Sequence, residues 1–164
     1  MSALRLRPAT KEDASVIAEI LNLYIATSTA TFLLERQTVE EQSAWLGERS
    51  ETYPAIVAEW NRTFAGWGSL SLFSPRGGYR HTAELSVYVR PDLHQHGIGR
   101  ALVHELIVRA RAAGHHTLIA KCCSESTASV ALHETLGFTR VGELRSVGRK
   151  FDRWLDATIF QLLL

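Results

Sequence analysis

The amino-acid sequence predicts one α/β domain, a mixed sheet covered by helices. Two observations carry that reading. In the first half, three strand-like runs follow one another through a tight turn and a Pro/Gly loop, which makes neighbouring strands antiparallel. In the second half, strand alternates with amphipathic helix, and a strand–helix–strand connection brings a parallel pair into the same sheet. At 164 residues the chain has the length of a single domain and can bury roughly two thirds of its unfolded surface.

The elements follow in chain order. Leu4 to Arg7 alternates as a short strand. Thr10 with Asp13 forms a capping box, and Ala14, Ile17, Ile20, Leu21 and Tyr24 then recur on one helical face. A second capping box, Thr38 with Glu41, starts a helix expected to reach Ser50. Pro54 ends that region. Strands are expected at Ala55 to Glu59, Thr63 to Phe73 and His81 to Val89, the first two joined at Trp60-Asn61-Arg62. Gly97 opens a helix that buries Val103, Leu106, Ile107 and Ala110, and Gly114 closes it. Leu118 to Cys122 reads as a strand, Thr127 to Leu136 as a helix stopped by Gly137, and Phe138 to Arg145 and Trp154 to Leu163 as the last two strands.

Composition narrows the function classes. Eighteen Lys and Arg against seventeen Asp and Glu leave a formal charge of +1. A duplex-binding protein carries a marked basic excess on one face, so no nucleic-acid partner is expected. No apolar run is long enough to span a bilayer, and Met1 to Thr10 lacks the apolar core of a signal peptide. Cys122 and Cys123 are adjacent, which would strain a disulfide between them, so reduced thiols and a cytoplasmic location are expected. The histidines show no metal-ligand spacing, and no metal is expected.

The most informative segment is Val87-Tyr88-Val89-Arg90-Pro91-Asp92-Leu93-His94-Gln95-His96-Gly97-Ile98-Gly99-Arg100. A β-branched strand runs into a proline turn, and two glycines separated by one residue lead straight into a helix. Glycine lets an anion approach the backbone without a Cβ in the way. The free N–H groups at the helix start, with the positive end of its dipole, suit phosphate. The spacing fits neither the dinucleotide fingerprint nor the P-loop, so by itself the turn names no ligand.

Four blocks give the turn its meaning: Ser28-Thr29-Ala30-Thr31-Phe32, Thr82 to Val89, Ser129 to Phe138, and Gly148-Arg149-Lys150-Phe151-Asp152-Arg153-Trp154-Leu155-Asp156. In order and spacing these resemble the GNAT superfamily of N-acetyltransferases, and within it the phosphinothricin and methionine sulfoximine acetyltransferase group. The resemblance implies a central, mostly antiparallel sheet flanked by helices, acetyl-CoA as cosubstrate and a homodimer, for which the apolar strand Ile159 to Leu164 would serve as interface. It implies that Val87 and Val89, with Tyr88 between them, flank the pantetheine arm like an added strand. It also implies that the backbone N–H groups of Gln95, His96, Gly97, Ile98, Gly99 and Arg100 hold the pyrophosphate, and that the N–H near Val87 serves as oxyanion donor. The chain departs from the family at two positions. His94 stands where Gln or Arg is usual, and Ser126 replaces the Asn beside the pantetheine arm.

Amine acetylation needs a neutral amine held against a thioester carbonyl. An α-amino group titrates near ~8, so neutralising it at pH 7 costs roughly 1.4 kcal/mol, whereas positioning can contribute about 7–11 kcal/mol. Direct attack in a ternary complex follows, with a base helpful rather than indispensable. Glu84 is the expected base, since a carboxylate among Ala83, Leu85 and Val87 is costly to bury without a partner or a task. His133 is the second catalytic candidate, as acid toward the departing thiolate, and Tyr88 the third. Arg76, four residues before Arg80 in a Pro/Gly loop, resembles the loop arginine of the group; both belong to the expected substrate site, where a guanidinium suits a carboxylate or phosphinate. Phe32 is expected to wall the acceptor pocket. An acetyltransferase of peptide or protein N-termini, and a non-catalytic acyl-CoA-binding module, remain open on these residues.

Overall fold

The computed structural model describes residues 3–164; Met1 and Ser2, the start of the N-terminal stretch considered above, lie outside the described residues. The elements are β1 (Leu4–Pro8), α1 (Ala14–Thr27), α2 (Val39–Gly47), β2 (Ala55–Trp60), β3 (Thr63–Leu72), β4 (Thr82–Val89), α3 (Ile98–Ala112), β5 (Thr117–Cys123), α4 (Thr127–Thr135), β6 (Thr139–Lys150) and β7 (Arg153–Leu163). They build one seven-stranded sheet in the order β1-β2-β3-β4-β5-β7-β6. Among the described residues only β4 and β5 pair in parallel, as the crossover through α3 requires.

Two apolar layers sandwich this sheet. On one face Leu102, Val103, Leu106 and Ala110 of α3 pack on Ile56, Leu70, Leu85, Leu118 and Phe160. On the other, Ile17, Ile20, Leu21 and Tyr24 of α1 cover Val57 and Trp67. Period-two alternation sorts β4 between them: Ala83 and Leu85 are buried against α3, while Glu84, Ser86 and Tyr88 face the α1 side. The helix faces expected from sequence are therefore the buried ones.

Boundaries differ where local hydrogen bonding decides them. Thr10 opens a short 3₁₀ turn, Lys11–Asp13, before α1 begins, and its N–H donates to Asp13 Oδ2 at 2.8 Å. The α2 helix stops at Gly47 rather than Ser50, because Glu48 and Arg49 donate to Trp45 and Leu46 in tighter i to i−3 bonds. β6 runs to Lys150, well beyond Arg145. A bulge between Leu144 and Gly148 hides the continuation: Ser146 adopts φ +48°, and its N–H donates to Asp156 Oδ1 at 2.7 Å. The strand Ile159 to Leu164 lies inside the sheet. β7 is paired with β5 on one side and β6 on the other, so β6 carries the outer edge.

Candidate active site

β4 and β5 begin as paired neighbours and then part. Their pairing joins Thr82–Leu85 to Thr117–Ala120 and ends there. β5 continues from Lys121 to Cys123 against β7 alone. Ser86–Val89 stay paired with β3 on the far side and have no strand partner on the near side. The result is a wedge between parallel strands, at the carboxyl ends where α/β sheets bind ligands.

The open edge is a backbone surface. Arg90 N–H donates to Ala65 O at 2.8 Å, so by antiparallel alternation Val87 and Val89 direct their polar groups away from β3, into the wedge. Val89 O is met there by the Tyr24 hydroxyl at 2.6 Å and by His94 Nε2 at 3.3 Å, with 2.9 Å between the two side chains. His94 thus folds back on the end of β4. The turn beyond it exposes Gln95, His96 and Gly97, with Gln95 at φ +67° and Gly97 at φ +77°. Ala101 N–H closes the first turn of α3 on Gly97 O, which leaves the N–H groups of Ile98, Gly99 and Arg100 without intrahelical acceptors. Free donors at the positive end of a helix suit an anion such as a diphosphate. Ser126 is the N-terminal cap position of α4, on the other wall of the wedge, and its hydroxyl makes no capping bond.

Side chains make the rest of the site, at the other end of β4 and along its face toward α1. Glu84 pairs with Lys121 of β5, Oε2 to Nζ 3.0 Å, and both remain partly exposed. Ser86, one step along the same face, is exposed in the middle of the sheet, which shows that this face is uncovered there. Tyr88 stacks on Trp67 with ring centroids 4.9 Å apart and lies 5.7 Å from Tyr24. Burial pushes the Tyr88 phenol up from its ordinary value, partly opposed by the Thr31 hydroxyl beside it. The Phe32 ring lies flush on β6 at Gly148, where a Cβ would stand 2.6 Å from its Cδ2 and Cε2. Arg76 and Arg80 are exposed in the loop that enters β4, at the Glu84 end, and Tyr79 of the same loop packs edge-on to Phe73 at 5.4 Å.

His133 lies apart from these groups. It is buried on α4, stacked on Phe160 at 5.4 Å, with its Nδ1–H donating to Ser129 O at 2.7 Å. Burial pushes its pKa below the ordinary imidazole value. Nε2 is the one buried side-chain polar atom without a partner among the described residues. A neutral ring with its single N–H spent on a carbonyl accepts a proton more readily than it gives one.

The structure therefore brings Val87, Val89 and residues 95–100 into one backbone cradle and puts Glu84 and Tyr88 on the face of β4 toward α1, while Phe32 lies on β6 at Gly148. Sequence reasoning missed two groups, Lys121 as the partner of Glu84 and Lys150, whose ammonium is buried behind residues 28–32. An i, i+2 strand pattern could have flagged Lys121; nothing local marks Lys150 as buried. Among the described residues no cluster of metal-ligating side chains occurs, and no helix is long and apolar enough to cross a membrane.

A family model of the acetyltransferase (GNAT) domain matches residues 6–159. The L-amino acid N-acyltransferase MnaT of Escherichia coli is 38% identical over 162 residues, 98% of this chain and 94% of its own length. An L-methionine sulfoximine/L-methionine sulfone acetyltransferase of Salmonella typhimurium is 37% identical over 162 residues, 98% of this chain and 95% of that protein. The solved structure of an acetyltransferase from Salmonella typhimurium with acetyl-CoA superposes with a TM-score of 0.95 at 37% identity, covering 99% of this chain and 94% of that one. With the wedge, the glycine turn and the matched length in agreement, the chain belongs to the GNAT acetyltransferase family, whose members use acetyl-CoA as cosubstrate.

Proposed function

We propose that this acetyltransferase acts on the α-amino group of free amino acids with a compact polar side-chain head, such as methionine sulfone, methionine sulfoximine and phosphinothricin. The observation that carries the reading is the parting of β4 from β5 after Leu85, with Glu84 on the open face beside it. Five strand steps separate Glu84 from Val89, roughly 17 Å at the usual rise, so one strand presents an extended arm at one end and a base at the other. The relatives named for amino-acid acylation cover nearly the whole chain and support the same acceptor class.

In this reading the backbone of Val87 and Val89 pairs with the pantetheine arm, Ser126 lines it, and N–H groups of residues 95–100 hold the diphosphate. Glu84 takes the ammonium proton, directly or through a water. The amine nitrogen attacks the thioester carbon, Val87 N–H stabilises the developing oxyanion, the C–S bond breaks with its electron pair on sulfur, and the second proton leaves the new amide nitrogen for that thiolate or for water. A thiolate whose conjugate acid titrates near ~8.5 is a competent leaving group, so neither His133 nor Tyr88 is required as an acid. Arg76 and Arg80 bind the acceptor carboxylate or its polar head, and Phe32, Trp67 and Tyr88 wall the pocket.

A second copy covers the outer edge of β6 in a homodimer. That edge is free, and Val141, Leu144, Val147, Phe151 and Trp154 of the β6–β7 hairpin are all exposed, an arrangement soluble proteins ordinarily cover. Thiols at Cys122 and Cys123, free in the structure, suit the cytoplasm. The test is thiol release from acetyl-CoA against free amino acids, their amides and short peptides. Turnover of free amino acids over amides and peptides is expected; turnover of peptides alone, or of nothing, would overturn the assignment.

A further inference from the structure

Lys150 is 4% exposed, and its ammonium faces three backbone carbonyls, Tyr24 O at 3.3 Å, Ser28 O at 2.5 Å and Thr31 O at 2.9 Å. No carboxylate lies within ion-pairing distance of it among the described residues; the other buried charge, Asp13, is spent on Arg7. Removing an ammonium from water without a counter-ion is costly, and burial lowers its pKa accordingly. A helix end can be satisfied by water at far less cost. What the ammonium adds is shape. It draws the last-turn carbonyl of α1, the residue after the helix and Thr31 onto one point, and so curls residues 28–31 into a fixed bend.

The other ties on this segment have the same origin. Thr29 Oγ1 donates to Glu125 Oε1 at 3.0 Å, and Glu125 is gripped by both terminal nitrogens of Arg153 at 2.6 and 2.7 Å. Phe32 rests on Gly148. Residues 148–153 of the β6–β7 hairpin thus hold residues 28–32 from behind, while the Thr31 hydroxyl reaches Tyr88.

We propose that Lys150 is a positioning residue for acceptor recognition: its ammonium fixes the bend that sets Phe32 and Thr31 as the back wall of the acceptor pocket. Its effect on turnover rests on the amino-acid acetyltransferase reading. A plain helix-capping role would lower stability without distinguishing the two substrates, so the split between their KM values is the deciding readout.

Lys150→Met keeps the length of the side chain and removes the charge. The acceptor KM should rise ~10-fold or more, the scale of a pocket wall displaced from its substrate, with the acetyl-CoA KM unchanged. Amide hydrogen exchange should accelerate across residues 28–33 and stay unchanged in α3. Gly148→Ala displaces the Phe32 ring without touching the ammonium and should raise the acceptor KM in the same selective way, which keeps the test alive if Lys150→Met does not fold. An acceptor KM that does not move in either folded variant, or an equal rise for both substrates, overturns the proposal. If the wild-type protein acetylates no free amino acid, the functional reading fails in its own assay, and the exchange comparison still decides whether Lys150 shapes the segment.

Discussion

The two ends of β4 are built from different materials. The Val89 end is backbone: an unpaired strand edge, a left-handed Gly97 and three free helix N–H groups. The Glu84 end is side chain: an ion pair with Lys121 across a parallel strand pair, and two arginines, Arg76 and Arg80, exposed in the loop that enters the strand. Backbone donors recognise a diphosphate whatever is attached to it, so that end tolerates side-chain change. Side chains define a particular acceptor, and each of them is replaceable. Substitutions at the two ends should therefore separate cleanly between the two substrates.

The largest effect is expected at Glu84, the proposed base. Glu84→Gln keeps the shape of the side chain and removes the proton acceptor, and kcat should fall ~10²-fold with the acetyl-CoA KM unchanged. A fewfold loss would reduce Glu84 to the partner of Lys121. Arg76→Ala comes next: losing a charge-assisted bond to a carboxylate should raise the KM for free amino acids ~10-fold or more, while amino-acid amides respond less. Gly97→Ala probes the other end. A left-handed residue carrying a Cβ costs about 1–2 kcal/mol, so the acetyl-CoA KM should rise ~5–30-fold with the acceptor KM unaltered. If Gly97→Ala moves both KM values together, the separation of the two ends is wrong.

The same division explains what could be read from the sequence. Capping boxes, the Gly97 and Gly114 punctuation and the buried faces of α1 and α3 are local patterns, and each appears where the pattern places it. The backbone cradle proposed for the diphosphate is local as well, because one strand, one turn and one helix start make all of it. The acceptor wall is not. Lys150 meets Thr31 across 119 positions and Ser28 across 122, and no window of sequence shows that a lysine between Arg149 and Phe151 is buried. Glu84 was legible as an unusual strand carboxylate, and Lys121 as a strand lysine, but not that the two pair, since that depends on β5 lying beside β4. The end of β6 was misread for a related reason: the bulge around Ser146 breaks the alternation by which a strand is recognised.

The smallest catalytic effect is expected at His133, which lies in the core behind the wedge and belongs to neither end. Nδ1–H held by Ser129 O and no partner for Nε2 favour the neutral ring in the folded protein. Its pKa is lowered by burial, whereas in the unfolded chain it titrates near the ordinary ~6.5. The unfolded chain then binds more protons below that value, so this stability is present above pH ~6.5 and is lost as pH falls, at no more than about 1.4 kcal/mol per pH unit for one group. His133→Phe, which preserves the stack on Phe160, should flatten the fall in stability between pH 7 and 5 in denaturant titrations by up to that slope, and should change kcat no more than a fewfold. A loss of kcat approaching that of Glu84→Gln would mean that Nε2 is protonated during turnover and delivers that proton to sulfur. The comparison would then need a third component, a proton donor buried in the core between a backbone-built cosubstrate end and a side-chain-built acceptor end.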